Sequence, residues 1–342
     1  MEPLIDQSGL PTGRSTGTDP GPPVSASSGE RARMRGKSPT AIALGRLRRD
    51  RVAVICSIIF LLFVLVAVFA PLLATLEGQD ATTFHQDLID DNLFPTIGPN
   101  SQHWLGVEPR LGRDLFARFV FGARPSLIVA SSVTVITTVI GVTVGLITGF
   151  LGGWIDRILS WVVDFVLSLP YLLFAIAVPA VLLALFVGNA DTADAQQVAQ
   201  VRFYSLIIVL SFFGWASLAR LIRGEVLSLR EREFIAAAKV LGVSTRNVLF
   251  RELLPNLVAP IVISVSLALP TYIVTEASLT YLGVGLTEPT PSWGVTIAAA
   301  QNYYRADPLY LWLPVLAITI LVLALSLLGD SIRDAFDPRT RR

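Results

Sequence analysis

Few side chains of this sequence have the types and spacing that chemistry requires. The run GKS at 36–38 ends as a phosphate-binding loop does, but that loop needs a glycine five positions earlier, where the chain has Arg31. His85 and His103 are the only histidines, and Cys56 is the only cysteine, so no internal disulfide and no thiolate metal cage can form. We therefore expect no nucleotide site, no metal site, no cofactor in this chain and no catalytic residue.

Two acidic residues lie within apolar runs, Asp164 and Glu276. An ionisable group inside a membrane is costly, and it faces protein or a water-filled path. Each residue is therefore a candidate for lining such a path, and each has the alternative of a hydrogen-bonded structural contact between helices.

The composition indicates a polytopic membrane protein. The 342 residues are 53% hydrophobic and 15% charged, with mean hydropathy +0.62, whereas soluble domains have about 25% charged residues. A bilayer core of about 30 Å needs about 20 mostly apolar residues in a helix. Six runs meet that length: 52–74, 125–151, 158–187, 204–222, 257–282 and 309–328. The fold class predicted is all-α, with six transmembrane helices.

The basic residues predict the orientation of these spans. With the N-terminus inside, 21 of the 27 Lys and Arg residues lie on the inner side, which agrees with the positive-inside rule. We expect a multi-pass protein of the plasma or inner membrane with both termini cytoplasmic.

Composition shifts divide the chain into segments. The first residues are rich in Gly, Pro, Ser and Thr, and they carry too little apolar surface to fold alone. The segments predicted are a disordered cytoplasmic tail (1–45), a first transmembrane helix (46–75), an extracytoplasmic segment (76–124), a core of five transmembrane helices (125–335) and a cytoplasmic C-terminal tail (336–342).

Glycines and prolines predict how the spans pack and bend. Gly141, Gly145 and Gly149 recur every four residues, so they share one helical face where another helix can approach closely. Prolines 170 and 179 in the third run, and 260 and 270 in the fifth, are expected to bend or interrupt those helices.

Residues 223–256 form a charged stretch between the fourth and fifth runs that predicts two short helices. Gly242 can adopt the left-handed conformation that ends a helix, and Ser244 or Thr245 can cap the next one. The side chains of Phe234, Ala237, Ala238 and Leu241 recur at helical spacing and predict an apolar stripe. A rigid helical hairpin with such a stripe predicts a lever that another helix crosses closely.

This hairpin resembles the cytoplasmic coupling loop of the permease subunits of ATP-binding-cassette importers. The loop of that family has two alanines, a glycine four positions later and a Leu-Pro pair. These features match Ala237, Ala238, Gly242 and Leu254-Pro255, although Ala236 stands where the family commonly has Glu. Glu233 is the neighbouring acidic residue, and we count it with Phe234 among the coupling residues.

More narrowly, the chain resembles the C-type permease subunit of dipeptide and oligopeptide importers. The matching segments are HWLG, LGRDLFARFVFGARPSL, GGWIDRILSWVVDFVLSLP, LSLREREF, TEASLTYLGVG, PTPSWG and LLGDSIRDAFDPR, between residues 103 and 339. An extra residue in VEPRLGRD departs from the family pattern.

The resemblance implies a type I importer fold, a second similar permease, two ATPase subunits that bind ATP and Mg, and an extracytoplasmic substrate-binding protein. The subunit itself would hydrolyse nothing, would bind no nucleic acid, and would form half of a peptide pathway in the bilayer. Residues Pro291, Ser292 and Trp293 are candidates for an outer contact, with a packed loop as the alternative.

The sequence leaves three alternative functions. Similar subunits import nickel chelates, glutathione or other small solutes. An ATP-independent channel or carrier would show inverted repeats with charged midplane sites, and the sequence has no such repeat. A membrane enzyme would need a catalytic constellation.

Overall fold

The computed structural model describes residues 39–188 and 193–337. Regular structure there is helical, apart from two isolated bridges that pair Ile89 with Pro95 and Val107 with Asp114. The helices are α1 (Pro39–Leu47), α2 (Arg51–Val68), α3 (Ala70–Glu77), α4 (Leu115–Leu151), α5 (Gly153–Ser168), α6 (Tyr171–Phe186), α7 (Ala195–Arg230), α8 (Glu233–Val240), α9 (Thr245–Asn247), α10 (Leu254–Asn256), α11 (Val258–Tyr281), α12 (Trp293–Ala300) and α13 (Pro308–Phe336). A 3-10 turn (Gln86–Leu88) and a π turn (Val248–Leu253) complete them. The predicted all-α class is confirmed.

Helices α2, α4, α7, α11 and α13 are each long and apolar enough to cross a membrane. The pair α5 and α6 would make a sixth span if its two halves count as one. One end of the bundle carries residues 78–114 and 282–307, and we call it the loop end. The other end carries residues 231–257, and we call it the hairpin end.

The third apolar run is two helices rather than one bent span. Helices α5 and α6 meet at 88°, with the break at Leu169 and Pro170. A proline disfavours helical backbone at the preceding residue, and Leu169 is extended there. The other prolines do not interrupt their helices, because α6 continues through Pro179 and α11 through Pro260 and Pro270. A bend at these positions stays a prediction.

Glycines set the distance between the two longest helices, α4 and α7. A Cβ atom on Gly141 would meet Leu218, one on Gly145 would meet Ile222, and one on Gly149 would lie 2.7 Å from Cβ of Val226. The structure therefore places the three glycines on the face of α4 that α7 covers. Small residues allow such close approach where lipid removes the hydrophobic drive between helices.

A buried cluster around Trp293 joins α2, α4, α11 and α13. Its ring stacks on Phe119 of α4 and lies edge-on to Phe63 of α2, and its Nε1 donates to the Phe119 carbonyl at 3.0 Å. Ile273 of α11 and Leu321 of α13 are fully buried in the same cluster. Helix α4 takes part in both the glycine contact with α7 and the cluster around Trp293, so it is the central helix of the bundle.

Several expected boundaries shift. Residues 39–45, expected within the disordered tail, form most of α1, while the tail before residue 39 lies outside the described part of the chain. Helix α4 begins at Leu115, ten residues before the predicted span, because Asp114 caps it by accepting from Ala117 N at 2.7 Å. Helix α7 continues to Arg230, so the hairpin begins at residue 231 rather than 223.

The glycine face yields the first prediction. In Gly145→Ala the new Cβ would lie 2.7 Å from the Ala219 carbonyl oxygen and from Ile222 Cβ, so α4 and α7 must separate. We expect a loss of about 1–3 kcal/mol in unfolding free energy, measured as a lower thermal midpoint of the detergent-solubilised chain.

The matched control is Gly224→Ala on α7, where nothing lies within 4 Å of the new Cβ. This variant gains helix propensity of up to about 1 kcal/mol and should keep or raise the midpoint. Equal midpoints for the two variants would contradict the close contact.

Candidate functional site

The hairpin is held against the ends of α4 and α7 by one face of α8. Ile235 is fully buried and Ala238 is 9% exposed, and both pack on Ile222 and Val226 of α7 and Leu146 of α4. Positions 235 and 238 are three residues apart, so they share one side of the helix. This side fixes α8 to the bundle.

The opposite side of α8 carries apolar side chains that the chain does not cover. Phe234 is 40% exposed, Val240 88% and Leu241 80%, and Ala237 is also exposed. We call these four residues the hairpin tip. A contiguous exposed apolar patch marks an interaction surface rather than a solvated face.

The predicted stripe is therefore split between the two sides. Phe234, Ala237 and Leu241 lie in the hairpin tip, whereas Ala238 faces inward next to Ile235. At 100° per residue, position 238 is turned 40° from position 234 towards the packed side. The alanine pair therefore has one outward and one inward member.

Gly242 ends α8 in the left-handed conformation, with φ +73°. Its amide donates to the Lys239 carbonyl, and the next amide, of Val243, donates to the Ala238 carbonyl, both at 3.0 Å. These bonds satisfy carbonyls at the helix end, which is the usual role of a glycine after a helix. Ser244 is the N-cap residue of α9 with extended backbone.

The second arm of the hairpin runs through α9, the π turn and α10 into α11. Val248, Leu253 and Leu257 are buried in the cluster that holds α8, while Leu254 is half-buried and Pro255 is exposed. Among the coupling residues predicted from the sequence, Glu233 is exposed in the first turn of α8. A cation–π contact of 5.1 Å between Lys239 Nζ and the Phe150 ring adds a link to α4.

Glu276 of α11 is fully enclosed. Its Oε2 accepts from the Ser126 hydroxyl of α4 at 2.7 Å, and its Oε1 accepts from the Thr280 hydroxyl at 3.0 Å. Thr280 Oγ1 in turn accepts from the amide of Leu286 at 3.1 Å. The carboxyl group thus links α4, α11 and the following loop, which is the structural alternative named for this residue.

Asp164 has a different environment, on an open side of the bundle. Its Oδ1 accepts from Arg220 of α7 at 2.5 Å, and both side chains are more than half exposed. Nearby, Asp156 accepts two bonds from Arg223 at 2.6 and 2.9 Å. We call these two ion pairs the charged seam between α5 and α7.

A cavity of about 240 Å³ adjoins the charged seam. Polar groups contribute much of its lining, which comprises Thr148, Ser160, Val163, Asp164, Ala219, Arg220 and Arg223. Charged groups that this chain leaves open cannot face hydrocarbon without a large cost, so this side borders water or another protein.

A buried charge cluster at the loop end was missed by the sequence analysis. Arg113 bonds to Glu108, and its other nitrogens donate to Glu288 at 2.9 and 3.0 Å. Arg118 lies 3.1 Å from Glu108 and 2.7 Å from Glu288. The Tyr310 hydroxyl donates to Glu108 at 3.0 Å. We call these five residues the outer clamp; it joins the start of α4, the loop after α11 and the start of α13.

The two arginines of the outer clamp lower the pKa of Glu288. Burial alone would raise the pKa of Glu288, but Arg118 and Arg113 outweigh it and hold that pKa below its usual range. The signal in the sequence was the occurrence of charged residues in LGRDLFAR beside an apolar span. Glu288, the shared partner of Arg113 and Arg118, is 175 and 170 residues away and gave no local signal.

The segment predicted as an outer contact is mostly interior. Trp293 is 1% exposed and Ser292 is fully buried, where its hydroxyl caps α12 by accepting from Val295 N at 3.1 Å. Pro291 is half-buried. The packed-loop alternative describes Ser292 and Trp293, and an outer contact of this segment stays a prediction.

The histidines form part of a structural cluster near the outer clamp. Their rings meet edge to face at 4.9 Å, and His103 Nδ1 lies 2.9 Å from Asp114 Oδ2. Within residues 39–188 and 193–337, no group of three or more His, Cys, Asp or Glu side chains could hold a metal ion.

Comparison with known proteins gives two family matches. Residues 141–342 match the binding-protein-dependent transport system inner membrane component, and residues 38–95 match the N-terminal transmembrane domain of oligopeptide transport permease C. A structure of the inward-facing MetNI methionine ABC transporter is also similar, with TM-score 0.47 and 20% identity over 62% of this chain and 93% of that one.

Relatives cover most of the chain. The dipeptide transport system permease protein DppC of Alkalihalophilus pseudofirmus is 34% identical over 89% of this chain and 91% of its own length. The oligopeptide transport system permease protein OppC of Bacillus subtilis is 32% identical over 94% and 97%. The glutathione transport system permease protein GsiD of Shigella dysenteriae is 36% identical over 86% and 89%.

The outer clamp yields the second prediction. Glu108→Gln removes the carboxylate that lies between Arg113 and Arg118, and two buried guanidinium groups then share Glu288 alone. We expect a loss of about 3–5 kcal/mol, as found when one partner of a buried pair is removed, seen as a lower thermal midpoint in detergent. The control is Asp87→Asn, an exposed carboxylate in the same loops. A midpoint for Glu108→Gln equal to that of the control would show that the clamp contributes nothing.

Proposed function

Because the chain belongs to the family of inner membrane components of binding-protein-dependent transport systems, we propose that it is a permease subunit of an ATP-driven importer of di- and oligopeptides. The observation that carries this function is the hairpin, which is fixed to the spans on one side and presents an uncovered apolar tip on the other.

The hairpin tip is suited to docking on an ATPase subunit. Ile235 and Ala238 couple α8 to α4 and α7, so a force applied to the tip moves those helices with it. Well-packed interiors transmit displacement because they have few voids. ATP and Mg would be bound by the separate ATPase subunits, in agreement with the arginine that interrupts the only phosphate-loop-like run of this chain.

The hairpin end is proposed to be cytoplasmic, in the plasma or inner membrane. The distribution of Lys and Arg supports this orientation. The loop end then faces the substrate-binding protein, and its surface around Pro291 is a candidate contact. Closure of the ATPases on ATP would drive the spans between inward-open and outward-open states.

The charged seam is proposed to border the translocation path shared with a second permease subunit. Asp164 and Arg220 are more than half exposed, whereas Glu276 is enclosed and has no access to a path. A charged pair open to one side of a membrane bundle needs water or a protein partner there. Of the two acidic candidates, Asp164 is therefore the path residue and Glu276 the structural one.

The names of the relatives support peptides as the cargo class. Two of them are named for dipeptide and oligopeptide transport, and one for glutathione transport. Glutathione is therefore the second candidate cargo.

The third prediction tests the hairpin tip. The experiment reconstitutes the chain with its partner permease, ATPase subunits and binding protein in proteoliposomes and measures ATP-dependent uptake of labelled dipeptides, oligopeptides and glutathione. Leu241→Asp places a charge in the apolar contact, and we expect ATPase affinity to fall by about 30-fold, as for a central interface residue worth about 2 kcal/mol. Uptake should fall with it.

The matched control is Asn247→Asp, which adds the same charge at an exposed position outside the tip. Full ATPase binding by Leu241→Asp would remove the docking role from the tip. An intact complex that hydrolyses ATP without taking up any of these peptides would contradict the cargo class.

The fourth prediction tests the path. In a Cys56→Ser background, Ser160→Cys lies at the cavity beside the charged seam, and Ile158→Cys lies on the exposed apolar side of α5. A charged, membrane-impermeant thiol reagent should label Ser160→Cys at least about tenfold faster in the assembled transporter, since a charge in hydrocarbon costs about 2.5 kcal/mol or more. Equal labelling rates would place the seam outside any aqueous path.

A further inference from the structure

The turn between α1 and α2 forms an elbow with a groove. Helix α1 ends at Leu47, and α2 starts at Arg51 after Asp50, whose side chain accepts from Val52 N at 2.9 Å. A cavity of about 310 Å³ lies between the two helices. The residues that line this elbow groove are Leu44, Leu47, Arg48, Ala53, Val54, Ser57, Ile58 and Leu61.

The elbow is held in place by the end of α13. Arg46 donates to the carbonyls of Ala335 and Asp337, both at 3.2 Å, and Asp50 is hydrogen-bonded to Ser331. On the inner side Ala43 and Ala53 are buried. The groove is therefore preformed, so a ligand that fits it loses little affinity to ordering the protein.

The groove is apolar along most of its length. Leu44, Val54, Ile58 and Leu61 are each at least 40% exposed. Leu61 lies ten residues beyond the start of α2, which is about 15 Å along the helix axis. The groove thus extends from the end of a transmembrane helix into the depth where the bilayer is hydrocarbon, and an acyl chain has that shape.

The mouth of the groove is basic. Arg48 lines the groove, and Arg49 and Arg51 are exposed beside it in the turn. The acidic residue among them, Asp50, is engaged as the cap of α2. Arginine at a membrane surface attracts anionic headgroups and binds phosphate with several donors. Positive charge at the mouth and apolar walls below it match the two parts of an anionic phospholipid.

We propose that the elbow groove binds an anionic phospholipid, with the headgroup phosphate at Arg48 and its neighbours and an acyl chain between α1 and α2. The bound lipid would anchor the elbow at the membrane surface on the hairpin end. This inference does not depend on the cargo or on the ATPase contact.

The fifth prediction tests this site by native mass spectrometry of the full chain in neutral detergent. The probes are phosphatidylglycerol and phosphatidylcholine with identical acyl chains. We expect one phosphatidylglycerol to be retained at least about tenfold more tightly than phosphatidylcholine. Replacing Arg48, Arg49 and Arg51 by Gln should remove this preference, because the three side chains supply the positive charge at the mouth.

Two further variants locate the site. Ser57→Trp fills the groove without changing its charge and should also release the lipid. Arg305→Gln removes an exposed arginine from the loop end and should retain it. Thermal midpoints equal to that of the unmodified chain ensure that each variant is folded.

Each other outcome overturns the proposal. Equal retention of the two lipids, or retention in the triple Gln variant, removes the headgroup contact. Loss in the triple variant with full retention in Ser57→Trp shows attraction to the basic surface alone, without the groove. Displacement of phosphatidylglycerol by millimolar inorganic phosphate shows a phosphate site rather than a lipid site.

Discussion

The close contact between α4 and α7 is the constraint on which the rest of the structure depends. Gly145 and Gly149 let the two longest helices touch through backbone and through Ile222 and Val226. The same two side chains then continue into the cluster that seats α8. The opposite side of α7 carries Arg220 and Arg223, which hold α5. Glycines on α4 thus decide where both the hairpin and the charged seam can lie.

Charged groups in this membrane protein avoid the cost of desolvation in two different ways. At the loop end Glu108, Arg113 and Arg118 are removed from solvent and pair with one another. Through Glu288 and Tyr310 they also join segments that are far apart in the sequence. At the hairpin end Asp164 and Arg220 stay open. Burial with full pairing fixes geometry, whereas an open pair can separate and accept other partners at small cost. The first arrangement suits a fixed end of the bundle and the second suits a path.

Local patterns in the sequence predicted the spans, the glycine spacing of α4 and the existence of the hairpin, because each depends on residues within a few turns. The patterns failed where geometry depends on distant partners. The proline rule placed an interruption at Pro170 correctly, but at Pro179 the helix continues without one. Composition assigned residues 39–45 to the tail, although contacts between Arg46 and the end of α13 hold α1 in place. The inward turn of Ala238 required knowing which side of α8 meets α7.

The proposed function requires a hairpin end that can be displaced and a loop end that is held together, and α4 is connected to both. The hairpin is joined by covalent chain to α7 and α11 and by packing to α4, so its displacement moves three spans at once. At the loop end, α4 is tied to α13 and to the loop after α11 through Glu108 and Glu288, and Trp293 closes the cluster with α2. Under the proposed function, a displacement of the hairpin would act on a bundle whose loop end is tied together, which favours rotation about that end over translation of the whole bundle. Such a rotation would move the helices furthest at the hairpin end, and the charged seam lies near that end.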